Sequence, residues 1–288
     1  MAVSAADYVG TVTIADGAWG TELDRLGCPP GYCREEWNVT EPAKVRQVAA
    51  AYVAAGAQIL MTNTFGANRF VLGRHDLADK VRDFNRAGAE ISKAAAGDKA
   101  KVFASMGSSG KMVMMGEATE EALFEAFCEQ ADALAEGGAD GLVIETMTEL
   151  AEMVPAIKAA KRTGLMTVAC MTYDSGRDKT ATMMGVLPAQ AVEAAIGAGA
   201  DMVGCNCGVG IEPYLQVTAL LREATDKPVW VKANAGLPEI EGGNIVYKVT
   251  PEAYAEQAKG LVAAGANVVG GCCGTTPAFV QALCAALR

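Results

Sequence analysis

Four times along this chain a helical stretch closes on a glycine and gives way to a short apolar run. The closing segments are Ala55-Gly56-Ala57-Gln58, Gly137-Gly138-Ala139-Asp140, Ala198-Gly199-Ala200-Asp201 and Ala264-Gly265-Ala266-Asn267. A glycine there suits the left-handed residue that ends a helix, because it has no Cβ to clash. Each apolar run that follows has the length of a strand. Further strands fit residues 11–15, 101–106, 165–171 and 228–233, with Ala-, Glu- and Lys-rich stretches of helical spacing between them, such as 42–55 and 120–136. Strands and helices in strict alternation build a parallel sheet covered by helices.

The alternation amounts to about eight strands, each with its helix, in 288 residues. That is near the roughly 250 residues of a (β/α)8 barrel. Polar or glycine-rich motifs fall directly after nearly every expected strand: Asp16-Gly17, Asn63-Thr64-Phe65-Gly66, Gly107-Ser108-Ser109-Gly110, Glu145-Thr146, Tyr173-Asp174, Asn206-Cys207, Asn234-Ala235-Gly236 and Cys272-Cys273. A barrel gathers all of these at the C-terminal ends of its strands. An open doubly wound sheet unites only those at its switch point, and no G-x-G-x-x-G turn follows the first strand. The chain is therefore expected to be one α/β domain, a (β/α)8 TIM barrel over residues 1–288. Irregular strand spacing implies long loops, with 20–40 among them.

Composition narrows the chemistry. A net charge of -10 without a basic stripe excludes nucleic acid as a partner. No apolar run approaches the roughly 20 residues of a membrane helix. The N-terminus lacks the pattern of a signal peptide, so a cytoplasmic protein is expected. The nine cysteines should then be reduced, packed or metal-bound. The single histidine, His75, lies in a polar helical context and is expected on the surface. Ser-His-Asp catalysis and histidine-rich metal sites are excluded. Sulfur and carboxylates remain.

Cys272 and Cys273 end the run Val268-Val269-Gly270-Gly271 and precede Gly274-Thr275-Thr276-Pro277. Adjacent thiols cannot easily bridge each other, but both can face one soft ion. Cys207, between a strand end and Gly208, is the expected third ligand, and Cys205, one step inside the strand, is its competitor. Cys128 and Cys284 on helices and Cys170 in a strand read as packing residues. Cys28 and Cys33 in the first long loop point to nothing specific. Three thiolates on Zn²⁺ leave a fourth position open, as in a catalytic site. The natural fourth ligand is a substrate thiol, which zinc deprotonates near neutral pH, and the reaction implied is thiolate attack on an electrophilic carbon. Asp16-Gly17-Ala18-Trp19-Gly20-Thr21 offers backbone N–H groups for an anion and Asp16 for an ammonium group. Glu145 ends an apolar strand at the expected mouth. Together they suit an amino acid. The plain alternatives are a turn-forming Asp16 and a helix-start Glu145.

With these motifs the chain resembles the homocysteine S-methyltransferase family, zinc-dependent (β/α)8 enzymes. The likeness runs through Asp16-Gly17-Ala18-Trp19-Gly20-Thr21-Glu22-Leu23, Glu36-Trp37-Asn38-Val39-Thr40, Thr62-Asn63-Thr64-Phe65-Gly66, Glu145-Thr146, Asn206-Cys207, Asn234-Ala235-Gly236-Leu237-Pro238 and Gly270-Gly271-Cys272-Cys273-Gly274-Thr275-Thr276-Pro277. The Trp-Asn, Asn-Thr-Phe and Asn-Ala-Gly-Leu-Pro pieces look most like the homocysteine-binding domain of cobalamin-dependent methionine synthases. The resemblance implies Cys207, Cys272 and Cys273 as zinc ligands, with methyl transfer to the thiol of L-homocysteine to give methionine. It implies Asp16, Glu145 and the backbone of Gly17 and Ala18 as the amino-acid seat, and Asn234 as a residue whose amide oxygen occupies zinc before the thiol arrives.

The chain ends at Arg288, soon after the cysteine pair, so a methylcobalamin donor is expected on a separate corrinoid protein or domain. Two methionine-rich loops, Lys111-Met112-Val113-Met114-Met115-Gly116 and Thr182-Met183-Met184-Gly185, are candidates for its docking surface. Three positions depart from the family pattern: Ser108-Ser109-Gly110 replaces a Pro-Thr-Gly turn, Met61 stands where an acidic residue is common, and Trp19 is unusually bulky. The alternatives are an S-methylmethionine- or betaine-type donor in the same barrel, and a non-catalytic zinc- or thiol-sensing barrel.

Overall fold

The computed structural model describes residues 3–242 and 244–288. In chain order its strands and α-helices are β1 (Thr13–Ile14), α1 (Trp19–Arg25), α2 (Trp37–Thr40), α3 (Pro42–Ala54), β2 (Ile59–Leu60), α4 (Arg69–Leu72), α5 (Val81–Ala96), β3 (Lys101–Met106), α6 (Glu120–Glu136), β4 (Gly141–Met147), α7 (Leu150–Lys161), β5 (Met166–Met171), α8 (Pro188–Gly197), β6 (Met202–Cys207), α9 (Ile211–Ala224), β7 (Val229–Ala233), β8 (Glu239–Glu241), β9 (Asn244–Val246), α10 (Pro251–Ala263), β10 (Val268–Gly271) and α11 (Pro277–Leu287). Eight parallel strands run in the order β1-β10-β7-β6-β5-β4-β3-β2. The ring closes where Ala15 bridges Ile59. There Asp16 N–H donates to the Ile59 carbonyl at 3.0 Å and Gln58 N–H to that of Ile14 at 2.8 Å. The fold is a (β/α)8 TIM barrel. The antiparallel β8–β9 hairpin stands outside it.

The repeated glycines close helices as their sequence predicts. Gly56, Gly138, Gly199 and Gly265 have φ of 100°, 87°, 102° and 107°. The next residues, Ala57, Ala139, Ala200 and Ala266, donate N–H bonds back to Tyr52, Leu134, Ala195 and Leu261, the geometry of a Schellman cap. The residue after each alanine has a second task. The side chains of Gln58, Asp140, Asp201 and Asn267 accept the N–H groups of Ile14, Val102, Thr167 and Val229 on a neighbouring strand. Their own N–H groups donate to the carbonyls of those same residues. Each motif thus ends a helix and clamps an adjacent strand at the N-terminal face, the end of a barrel concerned with stability.

The barrel interior is apolar at its base. Phe103, Val143, Met166, Val168, Met202, Trp230 and Val268 fill it, and Tyr8 closes it from below. Phe103 packs on Trp230 at 5.8 Å between ring centres and meets the edge of Tyr8 at 6.0 Å. Gly204 makes room, since a Cβ there would lie 2.0 Å from the Trp230 carbonyl oxygen. Side chains alternate along a strand, so two residues beyond Phe103, Val143, Gly204 and Trp230 come Ser105, Glu145, Asn206 and Lys232. These polar residues form the floor of the mouth. The second core lies between the strands and the helices, and Cys205 belongs to it.

Candidate active site

Cys207 ends β6 and Cys272-Cys273 follow β10, with β7 between them in the sheet. The three Sγ atoms all lie within 4.8 Å of one another. Local structure aims them. Cys207 holds a left-handed φ of 65°, and Gly208 and Gly210 follow with φ of 68° and 132°. Cys272 N–H donates to the Ala233 carbonyl at 2.7 Å, and Ala235 N–H donates to that of Cys273 at 2.9 Å. Thr275 secures the turn by donating its hydroxyl to the Cys272 carbonyl at 2.7 Å. Cys205, the competitor for the third place, is buried and faces the helices.

The cluster has the chemistry of a metal centre. In the bare protein it concentrates negative charge on one sulfur. Hydrogen bonds from Cys272 and Cys273 push the Cys207 thiol down to about 3. The bond to Cys207 pushes Cys273 up to about 12, and the bonds to Cys207 and Cys273 push Cys272 well above its usual range. A divalent cation satisfies all three as thiolates. On a tetrahedral zinc ion with bonds of about 2.3 Å, sulfurs sit about 3.8 Å apart, within reach of this cluster. A second observation fits. Asn234 donates its amide to the Gly208 carbonyl at 2.6 Å. Its buried Oδ1 has no partner, and the side chain lies against Cys207. An unpartnered buried acceptor on a side chain that touches Cys207 is a candidate further ligand for a cation held by the three sulfurs.

Beside the cysteines is a cavity of about 250 Å³. Gly17, Ala18, Met61, Ser105, Glu145, Lys232 and all three cysteines are among the residues lining it. Glu145 sits where β4 changes register against β5, next to Thr146 at φ 62°. A bulge of this kind re-aims a side chain. Ser105 donates its hydroxyl to Glu145 Oε1, and Asn206 donates its amide to Oε2 at 3.2 Å. Asn206 is itself fixed by Thr146, whose N–H donates to its Oδ1 at 2.7 Å. Burial raises the Glu145 carboxyl above its usual range, with the Lys232 charge opposing the rise.

Asp16 is placed differently from Glu145. It is fully buried and lies behind the cavity wall. Its Oδ1 meets Lys232 Nζ at 2.5 Å, and its Oδ2 accepts Trp19 Nε1 at 2.8 Å and Met61 N–H at 2.7 Å. The departures at Trp19 and Met61 therefore surround this one carboxylate. Of the two expected backbone donors, Ala18 N–H is taken by the Thr275 hydroxyl at 3.1 Å. The Gly17 N–H has no acceptor among the described residues. Gly17 must be glycine, since a Cβ there would meet Thr275 and Tyr52 oxygens at 2.8 Å.

The other family-like motifs are supports. Asn38, buried in α2, donates to the carbonyls of Asn63 and Phe84 at 2.7 and 2.9 Å, and Asn63 returns a bond to Asn38 Oδ1 at 3.0 Å. This ties the first long loop to the end of β2. Ser108 and Ser109 donate both hydroxyls and the Ser109 N–H to buried Glu152 on α7; a Pro-Thr-Gly turn would lack the bond from position 108. His75 is exposed. On the loops around the mouth, Phe65, Met112, Met114, Met115, Met183, Leu187, Leu237, Ile240 and Ile245 are exposed. The sequence reading missed Lys232. Its one signal was a charge inside the otherwise apolar strand Val229-Trp230-Val231-Lys232-Ala233.

Comparison with known proteins agrees with this architecture. Methionine synthase of Mycobacterium leprae is 33% identical over 301 residues, covering 96% of this chain and 24% of that protein. Methionine synthase of Mycobacterium tuberculosis is 33% identical over 297 residues with the same coverage. The chain thus spans about a quarter of the length of these relatives. Among solved structures, the metallated form of the homocysteine methyltransferase MmuM from Escherichia coli superposes with a TM-score of 0.80 at 23% identity, over 98% of both chains. That likeness concerns the fold. The family model described as homocysteine S-methyltransferase matches residues 13–287, and the chain belongs to the homocysteine S-methyltransferase family.

Proposed function

We propose that this barrel is the homocysteine-activating unit of a zinc-dependent, methionine-forming methyltransferase acting in the cytoplasm, and that its methyl donor is a methylated corrinoid carried by a separate protein or domain. The observation that carries the reading is the convergence of three sulfurs from two strands beside an open cavity with a carboxylate in its floor.

Cys207, Cys272 and Cys273 would hold the zinc, with Asn234 Oδ1 beside them. A zinc ion held by thiolates supplies Lewis acidity that ionises a thiol near neutral pH. The chain's own residues do the rest. Glu145, oriented by Ser105 and Asn206, receives the α-ammonium of L-homocysteine. The Gly17 N–H receives its carboxylate. The floor and the cysteines then fix both ends of a short chain, and the sulfur is presented to the mouth for in-line attack. The new S–CH₃ bond forms as the donor–CH₃ bond breaks, and the thiol proton leaves to solvent. No step needs a histidine, in keeping with an exposed His75. The donor would approach over the apolar rim of methionines, which adapt well at binding surfaces. Homology to methionine synthases supports a corrinoid donor.

The test is direct. Purified protein should hold about one zinc per chain, lost on Cys272→Ala, and homocysteine should release about one proton per zinc on binding. Free methylcobalamin, S-methylmethionine and betaine assayed side by side identify the donor. Homocysteine binding without proton release counts against the reading. Methionine formed from betaine or S-methylmethionine alone counts against the corrinoid.

A further inference from the structure

Lys232 is the group in the mouth that the mechanism above leaves unused. It is 4% exposed, in a floor that also holds two carboxylates. A lysine ammonium has three N–H donors. One goes to Asp16 Oδ1, and the other two have no acceptor among the described residues. Glu145 is not within ion-pair distance, although its charge is felt at Lys232. Lys232 lines the cavity, as do Glu145 and Gly17. A buried ammonium with unfilled donors is costly unless something fills them.

The charges of the floor set what fits. Asp16 is matched by Lys232, so it is not free to hold a substrate ammonium. Glu145 keeps an unmatched negative charge for that role. Lining the same cavity, the unfilled donors of Lys232 and the Gly17 N–H suit an anion. We propose that Lys232 is the specificity-determining residue of the mouth. It occupies Asp16 so that Glu145 becomes the sole ammonium seat, and it binds the α-carboxylate of the acceptor thiol directly. The acceptor is thereby restricted to zwitterionic amino-acid thiols. The inference rests on the amino-acid thiol reading given under Proposed function.

The experiment is calorimetric binding to zinc-loaded protein, using four thiols: homocysteine, 3-aminopropanethiol without the carboxylate, 4-mercaptobutyrate without the ammonium, and 1-butanethiol with neither. The wild type should bind homocysteine most tightly, and 4-mercaptobutyrate more tightly than 1-butanethiol, despite the two carboxylates in the floor. Removing Lys232 alone would strand a buried Asp16 charge, so the variant is the double change Asp16→Asn with Lys232→Met, which deletes the pair together. It should weaken homocysteine by about ten- to a hundredfold and 3-aminopropanethiol by far less. Asp16→Asn alone, which keeps the ammonium, should retain the preference for a carboxylate. Equal losses for homocysteine and 3-aminopropanethiol would overturn the proposal, as would 1-butanethiol matching 4-mercaptobutyrate in the wild type, a comparison that needs no variant to fold. A wild type that binds none of the thiols overturns the amino-acid thiol reading as well, so the two failures are distinguishable.

Discussion

Asn234 carries the sharpest consequence at the scale of single residues. Its amide nitrogen donates to Gly208, its side chain touches Cys207, and its oxygen is buried without a partner. If that oxygen completes the metal shell until a thiol displaces it, its loss matters only in the thiol-free protein. Asn234→Ala should therefore lower zinc affinity by roughly 10–100-fold without homocysteine and by far less in its presence, as read by competition with a chromogenic chelator. Equal losses in both conditions would assign Asn234 a purely structural role. The residues of this centre differ in how well sequence reveals them. Adjacent cysteines behind paired glycines and a carboxylate ending an apolar strand are local signals, so Cys272, Cys273 and Glu145 could be read directly. Cys207 was separable from Cys205 by its place at the strand end beside Gly208, not by alternation, which gives both the same face; the left-handed φ of 65° at Cys207 turns it to the mouth, while Cys205 stays inside β6 against the helices. Lys232 was not legible, because its meaning lies in Asp16, 216 positions away in the chain. The same distance hid why Asp16 is itself enclosed.

Elements show two devices, one at each end of the barrel. At the base, Asp201 accepts the Thr167 N–H at 2.9 Å and pairs with Lys161 at 2.7 Å. The ion pair is partly exposed and worth little, so the strand bond dominates. Asp201→Ala should cost about 1–2 kcal/mol, or a melting point lower by about 2–4 °C. Zinc and homocysteine binding should be unaltered, because the change is at the opposite face. At the mouth, Glu152 of α7 anchors the serine turn, and Glu149 accepts the Val113 N–H at 2.8 Å within the methionine loop. Burial lifts the Glu152 carboxyl above its ordinary value of 4.5, against the pull of the serine donors. A carboxyl raised in the folded state contributes stability that is complete below its unfolded pKa and is lost as pH climbs through the folded one. Glu152→Gln mimics the neutral form. Its stability relative to wild type should therefore rise as pH increases from about 4.5 and level off above the folded pKa, in denaturant titrations across pH. A gap that shrinks with rising pH would refute this. The helix-closing motifs made the barrel legible from sequence. The clamps and the serine turn were not, because each joins segments that only the closed ring brings together.

For the whole molecule, the metal centre is a cross-link between distant parts of the chain. Cys207 and the Cys272-Cys273 pair belong to strands separated in the ring by β7, and the turn after Cys273 reaches back through Thr275 to Ala18 after β1. Without a cation, three sulfurs share one site in which Cys207 is driven toward the thiolate and the other two toward the thiol. Metal binding should then couple to global stability, since a folded site binds the ion far better than an unfolded chain does. At free zinc about a hundredfold above its dissociation constant, the linkage is worth about 2.7 kcal/mol. For a domain of this size that corresponds to a rise in melting temperature of roughly 5 °C. A chelator should reverse the rise, and Cys272→Ala should abolish it while retaining a barrel by circular dichroism. The Asp201→Ala variant, weakened at the far end, should show the full zinc-dependent increment on a lower baseline, because sites this far apart add independently. A zinc increment that survives the loss of Cys272, or one that shrinks in Asp201→Ala, would place the coupling outside the mouth.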